Sequence, residues 1–155
     1  MAATRVPAGF RRVTPHLTVR DAPAMIEFYK KAFGAVEKRR APGPDGKTIM
    51  HAELEIGDSK VFLNDEFPEM GAFSPLASQN SSPVTIHLFV EDADQQFQQA
   101  LTAGAQVVMP LADQFWGDRY GIVKDPSGHH WSISHHVEDL TPAQMQERMA
   151  KAFCQ

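Results

Sequence analysis

Two stretches of this chain, VTPHLTVRDA (13–22) and VTIHLFVEDA (84–93), superpose after a shift of 71 residues. Val13/Val84, Thr14/Thr85, His16/His87, Leu17/Leu88, Val19/Val90, Asp21/Asp92 and Ala22/Ala93 then coincide. A duplication at that spacing leaves a chain of 155 residues room for two small modules of one topology and little else.

Each copy opens on an alternating run, the period of a half-buried strand. Val13, Leu17 and Val19 share one side, and Thr14, His16 and Thr18 the other. In the second copy Val84, Ile86, Leu88 and Val90 oppose Thr85, His87 and Phe89. The apolar side is expected to pack on a helix, and the mixed side to line a cleft. Asp21 and Asp92 are placed to cap the following helices, with Pro23 inside the first turn of one. Ile26, Tyr29 and Phe33 form one helical stripe and Ala93, Phe97 and Leu101 the other, before the stops Gly34 and Gly104.

The rest of each copy reads as strands. PGPDG (42–46) is a turn, TIMHAELEI (48–56) alternates, and SKVFLND (59–65) follows the tight turn at 57–58. In the second copy AQVVMPL (105–111), YGIVKD (120–125) and HHWSISHH (129–136) are strands, separated by a loop around FWGDR (115–119) and the turn PSG (126–128). Each module is therefore strand–helix–strand–strand–strand. The fold class is α+β: modules at 12–65 and 84–137, a linker at 66–83 and a helical tail at 138–155. Thr141-Pro142-Ala143-Gln144 has the form of a capping box, so a helix is predicted over 142–153. Its row of Met145, Met149 and Phe153 is expected to pack in the core or in a dimer.

The charge balance is 15 basic against 19 acidic residues, a net −4, which gives no reason to expect nucleic-acid binding. Arg11–Arg12 and Lys38–Arg39–Arg40 read as solvated surface. No stretch approaches the roughly 20 apolar residues of a membrane span. MAATRVPAGFRR has no apolar run suited to a signal peptide, and the single cysteine, Cys154, precludes an internal disulfide. The expectation is a cytoplasmic protein.

The stretches VTPHLTVRDAPAMIEFYKKAFGA, HAELEIGD, HLFVEDAD and FWGDRYGIVKDPSGHHW resemble the vicinal oxygen chelate superfamily, which includes glyoxalase I, bleomycin-resistance proteins and extradiol dioxygenases. The resemblance spans almost everything from Val13 to His136, and is strongest toward small glyoxalase/bleomycin-resistance-like proteins. It implies that each module curls a four-stranded mixed sheet around half of a central cleft, with small molecules on the concave side. It also implies a homodimer, because a partner usually covers the module edges. Catalytic members hold a divalent metal in the cleft, which chelates neighbouring substrate oxygens and stabilises an enolate-like anion.

Transferred residue by residue, the usual ligand positions of that family fall on Thr14, Thr85, Ser132 and a residue near Leu63. Neutral hydroxyls are poor partners for a divalent cation beside imidazole and carboxylate, so a metal at the usual positions is disfavoured. His16 and His87 stand two residues further along the same faces, about 6–7 Å away. With His51 and Glu53 they outline a displaced metal site. Against it stands a reading in which the imidazoles hydrogen-bond locally or meet a ligand without metal, as groups that change charge near neutral pH. Ser132 and Ser134 share a strand face and are candidates for ligand contact. In each of the pairs 129–130 and 135–136 only one histidine can face the cleft.

Trp116 and Arg119 lie where they could cover an apolar ligand and clamp an anion. The competing reading packs Trp116 on the linker and pairs Arg119 with Asp118 or Asp125. Trp131 is expected in the core beside Ile133. The function expected is binding of a small organic molecule in a cleft between modules, with lyase or isomerase chemistry at His16 or His87. The alternative is a sequestering protein of the bleomycin-resistance type, with no chemistry.

Overall fold

The computed structural model describes residues 5–77 and 82–154. The chain divides into two compact units, parting between Ser81 and Ser82.

The first unit comprises β1 (His16–Val19), α1 (Ala22–Phe33), β2 (Val36–Pro42), β3 (Ile49–Ile56) and β4 (Ser59–Asp65). Its sheet has the order β1-β4-β3-β2, with β1 parallel to β4 and the other pairs antiparallel. The second unit comprises β5 (Thr85–Phe89), α2 (Ala93–Ala103), β6 (Gln106–Asp113), β7 (Asp118–Lys124), β8 (His130–His136) and α3 (Pro142–Phe153). Its order, β5-β8-β7-β6, repeats the first unit strand for strand, again with the outer strand parallel to its neighbour. The duplication read from the sequence is thus a duplication of topology, and the class is α+β.

The helix ends obey local chemistry. The Asp21 carboxylate accepts from the Ala24 amide and the Asp92 carboxylate from Gln95, each satisfying a donor that the first turn leaves free. Asp21 holds φ 60°, a left-handed conformation that aspartate tolerates better than most residues. Gly34 and Gly104 end the helices in the same region. Ile26, Tyr29 and Phe33 are buried as expected; on α2 the buried set is Ala93, Phe97 and Ala100, and Leu101 is only half-buried.

Several expectations need correction. Val13 and Val84 are exposed by 84% and 64% and precede the strands, which begin at His16 and Thr85. Pro15 has no amide proton to donate, so only its carbonyl joins the ladder, accepting from Phe62 at 2.8 Å. Leu63 is fully buried on the α1 side, in register with Leu17 and Ala52. Its neighbours Phe62 and Asn64 therefore occupy the opposite face. The loop expected around 115–119 shrinks to a tight turn, because Asp118 already belongs to β7 and its carbonyl accepts from Gln114.

The capping box of α3 forms as predicted, with Thr141 and Gln144 exchanging hydrogen bonds. No residue of α3 is buried, however, and its Met145–Met149–Phe153 row does not enter the core; Phe153 only rests its ring against Phe115, 5.8 Å away. Trp131 is fully buried, as expected, and donates from Nε1 to Asp125 at 2.9 Å. Among the described residues no helix is long and apolar enough to cross a membrane.

Candidate functional site

The register of the second sheet sorts its residues by face. Trp131, Ile133 and Val123 point toward α2 and are buried. The opposite face carries Thr85, His87 and Phe89 from β5, His130, Ser132 and Ser134 from β8, and Tyr120, Ile122 and Lys124 from β7. His87 is its centre. The imidazole Nδ1 lies 2.7 Å from the Ser132 hydroxyl, the ring stacks on Tyr120 at 5.8 Å, and Phe89 meets it edge-on at 4.4 Å. Burial holds the His87 pKa below its ordinary value, while the Asp118 carboxylate pulls weakly the other way. Burial thus favours the neutral ring near pH 7. Among the described residues its Nε2 makes no hydrogen bond.

Ser134, two residues along the same strand, is completely buried, and its hydroxyl has no hydrogen-bond partner among the described residues. A buried hydroxyl without a partner is costly and uncommon in a folded protein. Trp116 stands at the end of this face, its indole edge-on to Tyr120 at 5.3 Å and its Nε1 donating to Asp118. The other Asp118 oxygen meets His136 at 2.7 Å, and Asp139 meets the far side of that imidazole. These bonds, Asp118 first, raise the His136 pKa.

Arg119 belongs elsewhere. The register pairs it with His135, on the α2 side of the sheet. Its guanidinium is held by both Asp94 oxygens, at 2.7 and 2.8 Å, and by Asp113 at 3.0 Å. Neither Asp118 nor Asp125 is its partner, and a fork already engaged by two carboxylates is not an anion clamp. His135 also faces α2, where its Nδ1 accepts from the Ala93 amide at the helix start. His135 and His136 thus point to opposite faces, as strand alternation requires.

In the first unit the corresponding face carries His16, His51 and Phe62, whose ring centroids lie 4.7–5.8 Å apart. Thr14 is half-buried and precedes β1. Glu53 is 8% exposed, with Lys60 Nζ at 3.3 Å and Arg39 at 3.8 Å. Burial first, then the neighbouring His16, lowers the His51 pKa.

A divalent metal does not fit this donor set. Thr14, Thr85 and Ser132 offer neutral hydroxyls, and Ser132 is engaged by His87. Of the displaced set, His16, His51 and Glu53 share the first unit's face, with the Glu53 carboxylate already facing two cations, and the His87 Nδ1 is engaged by Ser132. Among the described residues no three His, Cys, Asp or Glu side chains are grouped to hold an ion.

Sequence reasoning missed the role of residues 5–12. Together with Lys38, Arg39, Glu53 and Phe62, residues of this segment line a pocket of about 780 Å³. Phe10 meets Phe62 at 5.6 Å and lies under Lys60 Nζ. Arg11–Arg12 and Lys38–Arg39 are thereby brought to one pocket rather than scattered over the surface. The only signal in the sequence was the recurrence of basic pairs on both sides of the first helix.

A family model described as the Glyoxalase/Bleomycin resistance protein/Dioxygenase superfamily matches residues 9–133. The chain is 52% identical over 140 residues to the uncharacterized protein Rv0887c of Mycobacterium tuberculosis, covering 89% of this chain and 82% of that protein. A gene product from Arabidopsis thaliana has a similar solved structure, with a TM-score of 0.65 and 29% identity, covering 81% of this chain and 98% of that one. TioX from Micromonospora sp. ML1 is similar with a TM-score of 0.62 and 25% identity, covering 84% of this chain and all (100%) of that one.

Proposed function

The chain belongs to the glyoxalase/bleomycin resistance protein/dioxygenase superfamily, and from that premise we propose that it binds a small organic molecule on the face of its second sheet opposite α2, without a divalent metal at the family's usual ligand positions. One observation carries the reading. His87 stands among Phe89, Tyr120 and Trp116, beside the buried Ser134 hydroxyl, and among the described residues neither its Nε2 nor that hydroxyl has a hydrogen-bond partner. Aromatic walls with a few directed polar groups are what a small-molecule site requires. The aromatic groups supply contact area, and Nε2 supplies orientation.

The same geometry supports lyase or isomerase chemistry. Ser132 orients the imidazole through Nδ1, leaving Nε2 to take or return a proton on a bound substrate. Sequestration without chemistry uses the same walls and needs no proton transfer. We extend the proposal to a homodimer, for which the exposed Met149 and Phe153 of α3 are the support.

The test is titration calorimetry of the full chain, kept in EDTA, with neutral phenols such as 1-naphthol. Binding is expected to survive EDTA and to weaken at least about tenfold in His87→Ala. Binding abolished by EDTA, or unaffected by His87→Ala, overturns the reading. Product formed in excess of the protein assigns a catalyst; tight retention with none assigns sequestration.

A further inference from the structure

We infer that the pocket lined by Arg5, Phe10, Arg11 and Arg12 is a site for an organic oxyanion carried on a flat apolar body. Every residue lining it belongs to the first unit, and Arg39, Glu53 and Phe62 lie in one cross-strand row of that unit's sheet.

Charge is the first argument. Five cations, Arg5, Arg11, Arg12, Lys38 and Arg39, line the pocket against a single carboxylate, Glu53. That carboxylate is 8% exposed and is already shared between Lys60 Nζ at 3.3 Å and Arg39 at 3.8 Å, so it does not neutralise the remaining cations. Arg5, Arg11 and Arg12 enter no ion pair among the described residues. The whole chain carries a net −4, so this positive charge is a local concentration. A concave surface with charge of one sign focuses its field on whatever enters.

Shape is the second. Phe10 and Phe62, tilted by 52° with centroids 5.6 Å apart, give the pocket aromatic walls, extended by Val6 and Pro7. A volume of about 780 Å³ lies within the range of sites that enclose small organic molecules. An inorganic anion would leave the aromatic surface unused, and a neutral aromatic would leave the guanidinium groups unmatched. A planar guanidinium pairs with a carboxylate or a phosphate through two parallel hydrogen bonds. The shared chemistry is therefore an aromatic body bearing either head group.

The experiment is titration calorimetry of the full chain at low salt with three probes: 1-naphthoate, 1-naphthyl phosphate and the neutral 1-naphthylmethanol. The anions are expected to bind, and the alcohol at least about tenfold more weakly. Their relative affinities separate a carboxylate from a phosphate preference. Arg11→Gln/Arg12→Gln is expected to weaken both anions at least about tenfold, with an unchanged thermal midpoint, because both side chains are exposed. Arg11→Lys/Arg12→Lys restores part of the loss, and raising NaCl from about 20 to about 300 mM weakens the anions alone. Equal affinity for the alcohol, or anion affinity unchanged by the glutamine pair, overturns the inference. Loss of naphthoate binding in His87→Ala instead assigns the anion to the second unit and also overturns it. Failure of 1-naphthol to bind, with naphthoate still bound, refutes the proposed function alone.

Discussion

Replacing Asp125 with alanine removes the carboxylate that accepts from at least three donors. Asp125 lies in the turn that feeds β8, the strand bearing Ser132 and Ser134, and is 2% exposed. One oxygen accepts from the Ser127 and His129 amides at 2.9 and 3.0 Å, and the other from Trp131 Nε1 at 2.9 Å. A buried donor left without a partner costs about 1–3 kcal/mol. Ser127 and Trp131 are 1% and 0% exposed, so water does not replace the lost acceptor there, whereas half-buried His129 recovers part of the cost from water. The expected loss is about 3–6 kcal/mol, a large share of the 5–15 kcal/mol typical of a folded domain. Both tryptophans, Trp116 and Trp131, belong to the second unit, so fluorescence during urea unfolding reports on the part perturbed. Trp131→Phe removes one of the three donors, and combining it with Asp125→Ala should show coupling of at least about 1 kcal/mol. An Asp125→Ala protein within about 1 kcal/mol of the parent, or a double mutant whose effects simply add, would refute the reasoning.

Two further tests address the same unit. A Cβ at Gly121 would lie 2.8 Å from Phe97 Cε2 and 2.9 Å from the Leu111 backbone, so Gly121→Ala should cost about 1–3 kcal/mol by overpacking; an unchanged thermal midpoint would contradict this packing of α2 and β6 on β7. His87 and His136 should titrate on opposite sides of 6.5 in histidine-resolved NMR, His87 below through burial and His136 above through Asp118 and Asp139. For His87 the unfolded chain takes up its proton first, so this contribution to stability is intact above pH 6.5 and lost as pH falls through the folded value. For His136 the sign reverses: its contribution is full below 6.5 and lost as pH rises through the folded value. A His87 titrating above 6.5 would remove the neutral imidazole from the site.

How legible the molecule was depends on the range over which each feature is decided. Asp21, Gly34, Asp92, Gly104 and the Thr141 capping box act within one turn of their own helix, and all were readable from neighbouring residues. The site was legible only in part. Strand alternation correctly assigned His87 and Ser132 to one face, but nothing in either segment showed that they bond to each other. That contact depends on the parallel pairing of β5 with β8, whose partner residues are 45 positions apart. Arg119 shows the same limit: the nearest carboxylates in sequence were Asp118 and Asp125, yet Asp94 on α2 holds it.

The sequence by itself determined the duplicated topology, the helix limits, the burial of Trp131 and the hydroxyls at the family's ligand positions. Each follows from periodicity, capping or residue identity, which neighbouring residues settle. Tertiary structure alone decided that Ser132 serves His87, that Ser134 is buried without a partner among the described residues, and that Arg11–Arg12 and Lys38–Arg39 meet around Phe10 and Phe62. A strand's pattern specifies which face a side chain occupies, while its neighbours on that face are set by the order in which distant strands and the leading segment come together.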